Sequence, residues 1–190
     1  MSDAPDPHIL PEGLPIPEDD GAAAHLEGAK VPSLFLPATS GGQIDLAAAA
    51  EGTLIVYLYP RTGAPGEQLP SGWDRIPGAR GCTPQSCAFR DHFAELDALG
   101  AGVLGLSAQP LADQIEFARR VALPYPVLSD PGLALARALR LPTFEVAGMR
   151  LYRRLTLIAR RGEIIKAVYP VFPPDRNAAD VLAWLSARPA

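Results

Sequence analysis

Positive charge is not in surplus in this chain: 17 Lys and Arg stand against 21 Asp and Glu, for a formal net charge of −4. That balance gives no electrostatic footing for nucleic acid or an anionic membrane surface, so neither is expected as a partner. Long hydrophobic runs are missing too, and no stretch approaches the roughly 18 apolar residues of a spanning helix. The N-terminus, MSDAPDPHILPEGLPIPEDDG, lacks the basic start and apolar run of a signal peptide, which makes the cytoplasm the expected location. No internal repeat, Gly-rich phosphate loop, Ser/His/Asp order or paired-carboxylate signature is present, which excludes the chemistries those patterns carry. Cysteine is scarce, with two residues in 190. In a reducing compartment such a pair is more often catalytic than a structural staple.

What the chain does have is a concentrated motif around those two cysteines, in residues 81 to 91, GCTPQSCAFRD. Pro84 suits the first turn of a helix, where its missing N–H has no intrahelical acceptor, and Phe89, Phe93, Leu96 and Leu99 recur with helical spacing. The pattern predicts one helix running to about Leu99 and stopping at Gly100. Cys82 then sits at the helix N-terminus, where unpaired N–H groups and the macrodipole favour a thiolate, the nucleophilic form. Cys87 lies five residues on, a rise of about 7.5 Å and a Cα separation of about 8 to 9 Å if both are helical. A disulfide needs less than about 7 Å, so the two sulfurs can join only if the first turns unwind. A redox switch coupled to local unfolding is the expectation.

The string GCTPQSCAFRD resembles the active-site segment of the peroxiredoxins, specifically the peroxiredoxin Q or bacterioferritin comigratory group, whose pattern is close to T-P-G-C-T-x-E-x-C-x-F-R-D. The resemblance extends, in the family's order, through VPSLFLPATSGGQIDL (31 to 46), TLIVYLYP (53 to 60), VLGLSAQ (103 to 109), LPYPVLSD (123 to 130) and RLTLIARRGEII (154 to 165). It implies that Cys82 is the peroxidatic cysteine, Cys87 the resolving cysteine and Arg154 the arginine that precedes the strand R-x-[ST]-[FL]-[LIV]-[IV]. A guanidinium there keeps its charge at any working pH, stabilises the thiolate and can donate to peroxide oxygens. Taken without the family, Arg154 is one of several arginines on a solvated strand edge.

Three positions depart from the family pattern. The hydroxyl residue three before the peroxidatic cysteine is Ala79. Residues 61 to 81 form an insertion rich in Pro and Gly where the family has a much shorter connector, and Thr62 or Ser71 within it is a candidate substitute hydroxyl or part of a lid. The family's Glu three after the cysteine is Gln85, which keeps hydrogen-bonding capacity and removes a negative charge.

With 48% apolar residues the chain can bury one real core. Thr53 to Tyr59 and Gly102 to Ser107 are β-prone runs of the buried kind, and Val127 to Leu128 starts a short strand. Ala112 to Val121 and Leu133 to Leu139 read as helices. Arg154 to Ala159 and Ile164 to Tyr169 flank a hairpin signal at Arg160-Arg161-Gly162-Glu163, and Ala178 to Ala187 closes the chain as a helix. The order fits an α/β, thioredoxin-like fold with a central mixed sheet flanked by helices. Residues 1 to 24, rich in Pro and acidic groups, are expected as an extended arm on which Ile9, Leu10, Leu14 and Ile16 offer docking points. Residues 25 to 190 make the peroxiredoxin-like domain. His92 gives no credible metal site beside two cysteines on one helix; His8 and His25 are expected to be solvated. Trp73, Tyr57, Tyr59, Phe144 and Tyr152 are expected in the core more than around the thiol.

The mechanism implied is that of a thiol-dependent peroxidase acting on hydrogen peroxide and organic hydroperoxides, with an intramolecular disulfide reduced by a thioredoxin or glutaredoxin-type donor. No bound cofactor is needed, because the thiol is both nucleophile and electron source. The chain admits a monomer or a homodimer. The rival readings are a thioredoxin-like reductant, which expects C-x-x-C, and a sensor or binding module that keeps the fold with weak or no turnover.

Overall fold

The computed structural model describes residues 9 to 188; His8 and the other positions before Ile9 lie outside that range. From Ile9 a coil leads into a small hairpin, β1 (Phe35–Pro37) and β2 (Gln43–Asp45), and a single helical turn, α1 (Leu46–Ala49). β3 (Thr53–Leu58) follows, then the insertion, α2 (Cys82–Asp91), α3 (Phe93–Ala98) and β4 (Ala101–Ser107). α4 (Leu111–Arg120) and β5 (Val127–Ser129) come next, then α5 (Ala134–Leu139) and a second small hairpin, β6 (Thr143–Val146) and β7 (Met149–Tyr152). β8 (Leu155–Arg160), β9 (Glu163–Val168) and α6 (Asn177–Ser186) complete the order.

The central sheet runs β5-β4-β3-β8-β9, with β3, β4 and β5 parallel and β8 and β9 antiparallel to their neighbours. β3 is central because its sequence is apolar on both faces. Leu54, Val56 and Leu58 enter one core cluster while Ile55, Tyr57 and the following Tyr59 enter the other, as a side-chain period of two requires. The first cluster takes Leu46, Leu135 and Leu139 from α1 and α5. The second takes Cys82, Phe89, Leu96, Val181 and Leu185 from α2, α3 and α6. The result is the mixed sheet between helices expected from the order of elements. At the β8–β9 turn Arg161 and Gly162 both have positive φ, 54° and 75°, the mirror-image turn that matches strand twist.

One expectation is corrected. The single helix predicted to run from Cys82 to about Leu99 is broken at His92, whose φ of −97° and ψ of 5° leave the helical basin. The break lets the two halves address different rings: Phe89 stacks on Tyr57 at 4.5 Å, and Phe93 tilts onto Tyr125 at 5.6 Å. His25 is exposed, as expected, and its Nε2 also lies 2.8 Å from the Leu139 carbonyl at the end of α5. Along residues 9 to 24, Leu10 and Leu14 are half-buried while Ile9 and Ile16 stay exposed.

Candidate active site

The site begins with a glycine. Gly81 precedes α2 with φ 98°, and a Cβ there would stand 2.3 Å from Cγ of Pro174 and 2.7 Å from Cδ2 of Leu10. Only glycine satisfies both the left-handed backbone and the space, so the chain enters α2 with Cys82 as its first residue. Pro84 falls in the first turn, as its sequence position predicts. Cys82 is 5% exposed and Cys87 9%, and neither is disulfide-bonded.

Arg154, immediately before β8, is 3% exposed and reaches the thiol: its Nη2 lies 3.2 Å from Cys82 Sγ. The same nitrogen donates to the carbonyls of Ala79 at 3.2 Å and Arg80 at 3.0 Å, and Nε donates to that of Gly78 at 3.2 Å. Nη1 donates to Gln85 Oε1. Gln85 in turn donates through Nε2 to Asn177 Oδ1 at 2.9 Å, an oxygen that also accepts from Thr156 Oγ1 at 2.7 Å. A carboxylate at position 85 could not donate to Asn177, so glutamine suits both neighbours. Among the described residues no carboxylate forms a salt bridge with Arg154. A buried cation with only neutral partners is costly, and Cys82 is the ionisable acid among the hydrogen-bond partners of Arg154.

Cys87 occupies a different environment. Its side chain packs with Phe117, Val121 and Leu123, from α4 and the turn after it. Burial pushes its thiol pKa up, against a smaller downward pull from the Arg90 guanidinium. Both cysteines lie within α2, so the helical separation of about 8 to 9 Å applies and the sulfurs cannot bond in this conformation.

The insertion is tied down by Trp73, which is buried with Ala79 and Leu151 and packs on Phe144 of β6. Ala79 thus gives its methyl to an apolar cluster and its carbonyl to Arg154 and to the thiol, whose Sγ lies 3.6 Å away. Neither candidate hydroxyl of the insertion takes the vacant role: Thr62 bonds Gln109 through both its N–H, at 2.7 Å, and its Oγ1, at 3.2 Å, and Ser71 is exposed. A shallow groove walled by Pro17, Pro77, Phe144 and Val171 opens beside Arg154. Of the aromatic residues named from sequence, Tyr57 and Tyr59 share the core cluster of Cys82, whereas Tyr152 is bonded to Asp130 in the other. His92 pairs with Glu95 at the surface, with Nδ1 3.0 Å from Oε1. Asn177, Ser86 and Tyr125 were not named as site residues from the sequence, whereas Thr156 stands at the hydroxyl position of the strand motif that begins at Arg154.

The sequence profile of the Redoxin family matches residues 26–182. The chain belongs to the Redoxin family. It is 28% identical over 160 residues to the chloroplastic peroxiredoxin Q of Suaeda salsa, covering 84% of this chain and 67% of that protein. The fold superposes on peroxidoxin BcpB of Mycobacterium tuberculosis with a TM-score of 0.71 and 25% identity, covering 87% of this chain and 100% of that one. On peroxiredoxin Q of Xanthomonas campestris the TM-score is 0.68 at 27% identity, with 87% and 98% covered. The peroxiredoxin resemblance and the thioredoxin-like fold expected from the sequence therefore hold, and with them the class of a thiol-dependent peroxidase. Among the described residues no helix is long and apolar enough to cross a membrane, and no cluster of three or more His, Cys, Asp or Glu can hold a metal ion.

Proposed function

We propose that Cys82 is the peroxidatic cysteine, Arg154 its activating cation and Cys87 the resolving cysteine. The observation that carries this reading is the buried Arg154 guanidinium, 3.2 Å from Cys82 Sγ and surrounded otherwise by neutral acceptors. The Cys82 thiolate attacks the terminal oxygen of a hydroperoxide, the O–O bond breaks, and the leaving alkoxide or hydroxide takes a proton to depart as alcohol or water. Cys82 is left as a sulfenic acid. Arg154 holds the negative charge on sulfur before attack and can donate to the oxygens as charge moves onto them. The first turns of α2 then open, the Cys87 thiol attacks the Cys82 sulfur, and hydroxide leaves with the thiol proton as water. A dithiol reductant of the thioredoxin or glutaredoxin type returns two electrons and two protons.

One of the neighbouring structures is described in connection with the alkyl peroxide reduction activity of the Xanthomonas campestris bacterioferritin comigratory protein, which supports organic hydroperoxides alongside hydrogen peroxide as substrates here. The cycle requires a compartment that supplies dithiols, such as the cytoplasm. The absent hydroxyl at Ala79 favours a second reading, a peroxide sensor with slow turnover. Anaerobic titration of the reduced protein with hydrogen peroxide, followed by mass spectrometry, tests the residue roles. One equivalent should give a Cys82–Cys87 bridge, two hydrogens lighter, and Cys82→Ser should give none. Stopped-flow oxidation of Cys82 no faster than free cysteine would instead support the sensor.

A further inference from the structure

Between the two cysteines lies Ser86, fully buried, and two tyrosine hydroxyls converge on it from outside α2. Tyr57 of β3 donates to Ser86 Oγ at 3.1 Å, and Tyr125, in the loop before β5, donates to the Ser86 carbonyl at 2.9 Å. The two hydroxyls are 3.1 Å apart. The site is built to seat them: a Cβ on Gly105 of β4 would come within 2.7 Å of the Tyr57 hydroxyl, so the strand leaves out a side chain where the tyrosine ends. Tyr57 is further held by its stack on Phe89, in the same helix. Tyr57 holds the side chain of Ser86 and Tyr125 its carbonyl, in the stretch of α2 that must move for the sulfurs to meet.

We propose that Tyr57 and Tyr125 are positioning residues that clamp Ser86 and set the rate at which α2 opens for Cys87 to reach oxidised Cys82. This rests on the assignment of Cys82 and Cys87 above. Opening withdraws Ser86 from both hydroxyls and, since only one of them can then donate to the other across 3.1 Å, leaves a donor unpaired in an apolar pocket, which slows opening by roughly tenfold for each bond broken. The sulfenic acid at Cys82 has two fates. It condenses with Cys87, or it attacks a second hydroperoxide, taking one oxygen to become a sulfinic acid while alcohol or water leaves. A tight clamp lengthens the life of the sulfenic acid and so fixes the peroxide concentration at which the enzyme inactivates itself.

The test is rapid-quench mass spectrometry of the reduced wild-type protein and of Tyr125→Phe and Ser86→Ala after mixing with hydrogen peroxide. The peroxide-independent step, sulfenic acid to disulfide, should accelerate roughly tenfold in each variant. The peroxide-dependent oxidation of Cys82 should be unchanged, and half-maximal sulfinic acid formation should require about tenfold more peroxide. Ser86→Thr, which keeps the hydroxyl, should restore the slow step. Leu139→Ala, which lowers stability from the opposite core, should leave the resolution rate alone and so separates a clamp from general loosening. Disulfide formation at the wild-type rate in Tyr125→Phe and Ser86→Ala, or equal acceleration in Leu139→Ala, overturns the clamp. Absence of any Cys82–Cys87 bridge in the wild type overturns the underlying assignment instead.

Discussion

Replacing Arg154 by lysine keeps the charge and removes the fork, and the structure says what each is worth. The guanidinium serves five acceptors: the carbonyls of Gly78, Ala79 and Arg80, Gln85 Oε1 and Cys82 Sγ. An ammonium at the Nη2 position can address Ala79, Arg80 and the sulfur but leaves Gly78 O and Gln85 Oε1 without donors. Two lost bonds to a charged donor cost about 1.5 to 3 kcal/mol each, so Arg154→Lys should lose about 3 to 6 kcal/mol of stability before relaxation. For the thiolate the larger quantity is the Coulomb term, about 4 kcal/mol for unit charges about 4 Å apart at an effective dielectric of about 20. Arg154→Gln forfeits it, and the oxidation rate of Cys82 at neutral pH should fall by up to about a thousandfold. Arg154→Lys retains most of it and loses orientation, for a fall of about 10- to 100-fold. Stopped-flow oxidation by hydrogen peroxide, on protein shown to be folded by circular dichroism and urea titration, measures both. Arg154→Lys within about threefold of wild type, together with Arg154→Gln within about tenfold, would refute the assignment of Arg154 as the activating cation.

Gly81→Ala should cost about 2 to 4 kcal/mol in urea denaturation, because it combines a left-handed φ of 98° with an overlap on Pro174 Cγ at 2.3 Å; a loss under about 0.5 kcal/mol would contradict the steric reading. Burial raises the Cys87 thiol and keeps it protonated in the closed protein; with α2 opening as the slow step, conversion of sulfenic acid to disulfide should vary by less than about threefold between about pH 6 and pH 8, and a tenfold rise per pH unit would show that Cys87 ionisation limits the rate instead. Burial also raises Tyr57, Tyr59, Tyr125 and Tyr152 above the ordinary tyrosine value. Above about pH 10 the unfolded chain therefore binds fewer protons than the folded one at these positions, and stability falls with pH by about 1.4 kcal/mol per unit for each group, roughly 5 to 6 for the four together. Alkaline titration should show their tyrosinate absorbance appearing only in step with the loss of near-ultraviolet circular dichroism; ionisation well before unfolding would contradict their burial.

Elements whose signal is local were legible in the sequence. β3 announces itself as TLIVYL, the α2 start as Gly-Cys-Thr-Pro, and the β8–β9 turn as Arg160-Arg161-Gly162-Glu163. The β6–β7 hairpin was not foreseen: its turn, Ala147-Gly148, carries no Asn or Asp, and its strands are only four residues long. The break at His92 was missed because the helical period continues through it, and what breaks it is a pair of rings, Tyr57 and Tyr125, that lie far away in sequence. Within the site, Cys82, Cys87 and Arg154 follow from a motif, and Arg154 does meet Cys82 across 72 residues of chain. Asn177 was invisible, since it holds Gln85 and nothing in a neutral amide's own neighbourhood reveals that partnership at a separation of 92 residues, whereas Thr156, which donates to Asn177, stands at the hydroxyl position of the strand motif.

The three departures from the family pattern are linked through one cation. Ala79 carries a methyl where the family pattern has a hydroxyl and packs it against Trp73, yet its carbonyl, with those of Gly78 and Arg80, is delivered to Arg154 by the end of the insertion. Gln85 replaces a carboxylate with an amide that accepts from Arg154 and donates to Asn177. Each neighbour of the guanidinium is thereby neutral, whereas a glutamate at position 85 would compete with sulfur for the positive charge in a buried, weakly screened setting. On the proposed assignment, this cage of uncharged acceptors leaves the charge of Arg154 to Cys82 and to the peroxide it attacks.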